Sequence, residues 1–370
     1  MARFTAASAF DHGSPERVAV LMVQLGTPDQ PETSAVRRYL REFLSDPRVV
    51  EIPRLVWAVI LNGIILNVRP ARSAAKYASI WTEQGSPLAV HTAAQAARLS
   101  EALAARGRDV EVAWAMRYGN PSIASVMRGL RERNVTRLLV LPMYPQYAGS
   151  TTATAFDEVF RELMQWRNQP ELRLIRSFHT HAPYIDAVAA HIEAYWAREG
   201  RPDQLLMSFH GVPRRTLLMG DPYHCECLVT ARLLATRLGL SRDRYRVTFQ
   251  SRFGKAEWLQ PYTDATLREL GAGGIGRLDV VCPGFVADCL ETLEEIAMEG
   301  AETFHEAGGG EYRYLGCLNG SPELAAALAD LVESHTSGWP TAQPGPGEAA
   351  RHEQALAERR SRALALGAQR

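Results

Sequence analysis

Short apolar runs rich in Val, Ile, Leu and Phe recur along the chain at 18–25, 110–116, 137–142, 172–177, 204–209, 245–250, 278–282 and 312–315. Between them, over 89–106, 121–134, 151–167, 182–199, 222–239, 288–302 and 321–335, apolar residues return every three or four positions, the period of a helix packed on one face. Strands alternating with longer helices predict βαβ units, hence an α/β fold with largely parallel sheets flanked by helices. The apolar segment at 52–68, IPRLVWAVILNGIILNV, is shorter than the ~20 residues of a spanning helix and contains Arg54, Asn62 and Gly63. It reads either as a buried core helix or as an exposed apolar lip that touches lipid or a greasy ligand. From 336 to 370 Pro, Gly and polar residues predict a mobile linker and tail, with a loose amphipathic helix at its end.

The pattern also repeats. VLMVQLGTP ends the first strand with Leu25-Gly26-Thr27-Pro28, and LLMSFHGVP ends the strand at 204–209 with His210-Gly211-Val212-Pro213. MRYG at 116–119 matches SRFG at 251–254, and each precedes a helix and a strand ending in proline, at Pro142 and Pro283. Three landmarks in the same order predict two similar Rossmann-like domains, 17–180 and 181–335, with a ligand cleft between them at the strand ends. The first copy makes its turn with Leu25 where the second has His210. The turn therefore does not require histidine, which makes His210 a candidate for chemistry.

A second candidate is the segment GFVADCLETLEEIAMEGAETF that follows Pro283. At about 100° per residue, Asp288, Glu291, Glu295, Glu299 and Glu302 fall on one stripe, and Leu290, Leu293 and Ile296 on the opposite side. No Lys or Arg occurs from Val280 to His305, so the stripe has no cation of its own. An imidazole facing carboxylates suits a borderline divalent metal such as Fe²⁺, or proton acceptance. The spacing does not support a permanent structural zinc site.

Bulk properties narrow the field. A length of 370 residues favours two domains, and Lys+Arg 41 against Asp+Glu 41 argues against a nucleic-acid coat. Five cysteines, an odd number without a C-x-x-C pair, fit a reducing compartment, and the N-terminal stretch lacks a signal-peptide pattern. The expected location is cytoplasmic, with peripheral membrane contact through 52–68 on the lip reading.

QLGTP, IWTEQGSPL at 80–88, MRYG, LPMYPQY, SFHGVP, TFQSRFG and FVADCLETLEEI occur in this order. Together they resemble the ferrochelatase family, over about 17–335. The resemblance implies a class II chelatase fold and an enzyme that inserts Fe²⁺ into protoporphyrin IX, the last step of haem synthesis, with iron as substrate and no required cofactor. It implies that His210 and Glu291 face each other across the porphyrin as catalytic residues and iron ligands. Asp288 and Glu295 would continue a proton or metal path. Leu25, Tyr77, Arg117, Tyr118, Tyr144 and Phe285 would line the porphyrin site. An animal-type [2Fe–2S] cluster is not expected, because Gly149 stands at one cysteine position and no cysteine follows Cys317. Leu25, where the coproporphyrin-using branch usually has tyrosine, favours protoporphyrin. Two rivals are a cobalt or nickel chelatase acting on sirohydrochlorin and a non-catalytic tetrapyrrole carrier; the first usually needs a histidine pair, and the second would not require His210 with Glu291.

Overall fold

The computed structural model describes residues 4, 11–254 and 256–369. Its strands are β1 (Arg17–Thr27), β2 (Glu111–Gly119), β3 (Val135–Pro142), β4 (Glu171–Leu174), β5 (Gln204–His210), β6 (Tyr245–Gln250), β7 (Arg277–Val281) and β8 (Glu311–Tyr314). They form two four-stranded parallel sheets of identical topology, β2-β1-β3-β4 and β6-β5-β7-β8. Central strands carry apolar side chains on both faces because helices cover both faces: Ala19 to Val23 are all fully buried. One apolar core joins the halves, with Val20 and Met22 of β1 and Leu205 and Met207 of β5 packed around the helices Pro87–Ala105, Ala182–Glu199, Tyr223–Arg237 and Pro322–His335.

The pairing register corrects one landmark of the repeat. Gln24 pairs with Met116 in the first sheet and Phe209 with Phe249 in the second. The backbone N–H groups of Met116 and Phe249 donate to Pro121 and Pro261 respectively, so these two residues correspond. MRYG and SRFG are thus offset by two positions, and the counterpart of Arg117 is Gln250, not Arg252. Ladder pairing to the central strand fixes the register, and loop composition does not.

Arg54–Ile60, Leu61–Ile65 and Leu66–Ile80 run as one helical stretch, the lip helix, with a π-helical turn in its middle. At 27 residues it is longer than the apolar run suggested and meets the length and composition of a spanning helix. One face is nonetheless committed to protein: Leu61, Leu66, Ala74 and Tyr77 pack with Val36, Tyr39 and Leu40 of the helix Thr33–Leu44. The other face is bare, with Leu55 86% and Val59 73% exposed. The buried core helix of the first reading is therefore not observed, since this face of the segment is exposed.

The expected linker carries specific contacts. Trp339 is buried and donates to Glu171 at 2.7 Å, the Asp109 N–H donates to the Thr341 carbonyl at 2.7 Å, and the Gln343 N–H to the Gly107 carbonyl at 2.9 Å. The helix Pro346–Ala365 follows, and Arg359 donates to the carbonyls of His12 and Ser14, both at 2.6 Å.

Candidate active site

His210 is the last residue of β5 and half-buried. Its Nδ1 lies 2.6 Å from its neighbour Gly211's carbonyl, which only an N–H can donate to. A neutral ring so held carries its lone pair on Nε2. The turn needs glycine: a Cβ on Gly211 would meet the Gln250 carbonyl at 2.7 Å, and one on Gly26 in the first copy would meet that of Tyr118 at 1.9 Å. Gly211 thus lets the strand end lie against β6 closely enough to aim the histidine.

The acidic segment differs from a plain α-helix. Helical winding begins at Leu290 and is π-helical over Glu291–Glu299, then α-helical over Gly300–Glu306. Wider winding breaks the 100° count, and the predicted five-carboxylate stripe separates into different environments. Asp288 precedes the helix and is buried. Its carboxylate accepts from Tyr314 at 2.6 Å, Asn319 at 2.7 Å and Thr292 at 2.9 Å, which fastens it at the start of the helix. Glu302 is exposed. Glu294 and Glu299 both accept from Lys76 of the lip helix at 2.9 Å. The sequence reading missed this cation because it sought partners on the helix itself, whereas this one comes from the opposite half of the chain.

Glu295 remains, close enough to both His210 and Glu291 to feel their charges. The Glu295 carboxylate accepts from the Ser251 N–H at 2.6 Å, from the Ser251 hydroxyl, and weakly from Gln250 Nε2 at 3.4 Å. Burial raises its pKa above the ordinary Glu value, partly offset by the Ser251 bonds and by the nearby His210; the Glu291 charge adds to the rise. Gln250 pairs with His210 across the ladder and donates to the Glu291 carbonyl at 2.8 Å, so strand end and acidic helix share one brace. Gln250 and Ser251 lay inside the quoted TFQSRFG motif, but their amide and hydroxyl carried no signal of their own.

The opposite wall is aromatic. Tyr39 and Tyr77 are buried, and burial together with the Glu291 charge pushes both phenols well up. For Tyr39 the neighbouring Tyr77 contributes more than Glu291 does. Leu25 and Leu290 pack against this cluster from either half. Arg117 and Tyr118 lie beneath the surface. Tyr118 is fully buried and Arg117 8% exposed, because both turn inward to Asp46: Arg117 Nη2 donates to it at 2.6 Å and the Tyr118 hydroxyl at 2.9 Å, with Arg117 Nε also on Thr154 at 2.7 Å. They form a second layer behind the wall. Tyr144 and Phe285 are half-buried, with Phe285 packed between the second sheet's core and the small cluster of Met116, Ala287 and Cys289.

Among the described residues no group of three His, Cys, Asp or Glu side chains is set to hold a metal ion. His210, Glu291 and Glu295 are neighbours, not a closed cage. Cys282, Cys289 and Cys317 are buried, and burial pushes each thiol up, with the Asp288 charge next for Cys282 and Cys317 and the Glu291 charge next for Cys289. Neutral thiols of this kind are poor ligands.

A family model described as Ferrochelatase matches residues 17–336. A protein named Ferrochelatase from Azoarcus sp. (strain BH72) is 58% identical over 368 residues, covering 100% of this chain and 99% of the relative. Another of that name from Thioalkalivibrio sulfidiphilus (strain HL-EbGR7) is 57% identical over 370 residues, covering 99% of both chains. Among solved structures, one titled SirB from Bacillus subtilis with Fe3+ superposes with a TM-score of 0.52 at 12% identity, over 89% of this chain and 100% of the other, a likeness of fold alone. With its duplicated sheets, the histidine at the β5 end and the acidic helix facing it, the chain belongs to the ferrochelatase family.

Proposed function

We propose that this enzyme, a ferrochelatase that inserts iron into a porphyrin, takes protoporphyrin IX and Fe²⁺ and forms protohaem with release of two protons. The observation carrying the mechanism is His210, locked through Nδ1 onto Gly211 so that Nε2 is left as base or ligand beside Glu291 and Glu295. A flat porphyrin binds metal slowly, since its two inner N–H groups point into the ring; a ring held bent turns the pyrrole lone pairs toward one face. His210 Nε2 accepts one pyrrole proton and Glu291 lies ready for the other or for the incoming ion. Glu295 passes protons outward along the acidic helix, while Asp288 fastens the start of that helix. Iron remains ferrous throughout, so the step balances without an oxidant or reductant.

Leu25 and the exposed lip residues Leu55, Val56 and Val59 give the mouth an apolar rim that suits a porphyrin with two propionates better than one with four. The same rim is the enzyme's peripheral contact with a lipid surface on the cytoplasmic side. The test is a comparison of anaerobic iron insertion into protoporphyrin IX and coproporphyrin III. The reading expects protoporphyrin to give the higher kcat/KM, with Leu25→Tyr narrowing the gap. A wild-type preference for coproporphyrin overturns the substrate assignment.

A further inference from the structure

Ser251 combines three properties that a simple loop residue does not need. It holds a positive φ of 65° without being glycine, it follows the ladder partner of His210, and it supplies two donors to a single carboxylate. A left-handed conformation is disfavoured for a non-glycine residue, and here it turns the Ser251 N–H and hydroxyl toward the two oxygens of Glu295. Gln250, immediately before it, is almost fully buried. Its Oε1 accepts from the Ser208 hydroxyl at 2.8 Å, and Ser208 in turn contacts Thr263 at 2.9 Å. The Glu291 carbonyl can only accept, so it fixes which way the amide points, and the Ser208 hydroxyl fits the other end as donor. Nε2 is therefore held as the donor to the Glu291 carbonyl and to Glu295. The first half offers the contrast: its corresponding pair, Arg117 and Tyr118, ties Asp46 and Thr154 behind the wall, away from the cleft. In the second half the same two positions carry smaller, uncharged side chains, and the group they hold is a carboxylate beside His210.

We propose that Gln250 and Ser251 are positioning residues for iron insertion, clamping Glu295 and the first turn of the acidic helix at a set distance from His210. This rests on the ferrochelatase reading, but it fails separately from it. The clamp holds both Glu295 oxygens, which would otherwise swing, and so gives Glu295 a role distinct from that of Glu291.

The test is a double-mutant cycle on the full-length enzyme, followed by anaerobic insertion of Fe²⁺ into protoporphyrin IX. Ser251→Gly keeps the backbone N–H and relieves the positive φ, removing only the hydroxyl. It is expected to lower kcat about tenfold, the size of one charge-assisted hydrogen bond, with the porphyrin KM and the melting temperature unchanged. In a Glu295→Ala background the same substitution should change kcat less than about twofold, since the held group is gone. Gln250→Met, which keeps the volume and removes the donor, is the second arm and should likewise lower kcat and leave KM alone; it decides the matter if Glu295→Ala is too slow to measure. Equal losses from Ser251→Gly in both backgrounds, an unchanged kcat in the single variants, or a rise in porphyrin KM in place of a fall in kcat overturns the proposal. Wild-type enzyme that inserts no iron at all sinks the ferrochelatase reading instead.

Discussion

Lys76 of the lip helix donates to the carboxylates of Glu294 and Glu299 at 2.9 Å, and so pins the mouth of the first half to the acidic helix of the second. Two further contacts reinforce this closure: Arg69 lies over the Phe253 ring at 5.7 Å, and Arg215 is paired with Glu51. Burial pushes the Glu294 pKa up, while the Lys76 ammonium draws it back. Lys76→Met leaves a largely buried carboxylate without its cation, so it is expected to cost about 1–2 kcal/mol, discounted from a fully buried pair because Lys76 is half exposed. Urea unfolding checks this; an unchanged midpoint would show that the pair does not hold the mouth.

Asp46 gives a pH-dependent prediction. Burial pushes its pKa up, but hydrogen bonds from Thr154, the Arg48 N–H and Tyr118, with the Arg117 charge, outweigh burial and hold it below the ordinary value of 3.8. A depressed carboxylate contributes stability that is fully present above its unfolded pKa and lost as pH falls through the folded one. The stability gap between wild type and Asp46→Asn should therefore be full at about pH 7 and close below about pH 4. Denaturant titrations across that range read it, and a gap independent of pH contradicts the ion-pair account.

Arg117 separates a second-layer role from ligand contact. Arg117→Ala takes the cation from Asp46, which keeps its bonds from Thr154, Tyr118 and the Arg48 N–H, and is expected to cost about 1.5–3 kcal/mol, the size of a lost hydrogen bond to a charged group. A residue that merely touched porphyrin would raise KM at unaltered stability, so paired unfolding and kinetic measurements distinguish the two.

Glu302 provides the opposite case. It shares the acidic segment but faces solvent, so Glu302→Gln should leave stability within about 0.5 kcal/mol and insertion kinetics unchanged. A large loss of kcat would restore the continuous stripe that π-helical winding has broken up.

The lip can be tested with lipid. Leu55→Glu combined with Val59→Glu places two charges on its bare face and should abolish co-sedimentation with liposomes without unfolding the protein. Equal sedimentation of wild type and variant would remove the membrane contact.

The duplication was legible in sequence because β1 and β5 end in the same glycine turn, and a Cβ is excluded at both places by a neighbouring backbone. His210 stood out because its counterpart is leucine. A motif reports which residues recur, not which way a strand end turns them; Asp46, 71 positions before Arg117 and 72 before Tyr118, holds both side chains inward. The acidic helix was misjudged for a related reason. Ideal α-helical counting cannot anticipate π-helical winding, and Lys76 lies more than two hundred residues from the carboxylates it serves. Gln250 and Ser251 escaped notice because a brace between elements has meaning only once both elements are placed.

The central claim is that His210 and Glu291 carry out iron insertion. Its most direct test is the anaerobic rate of Fe²⁺ insertion into protoporphyrin IX by His210→Ala and Glu291→Gln, followed through the porphyrin absorption bands alongside thermal melts. Losses of about 100-fold or more in both folded variants, with porphyrin binding retained, are predicted. Rates near wild type in both would contradict the site assignment while leaving the fold intact.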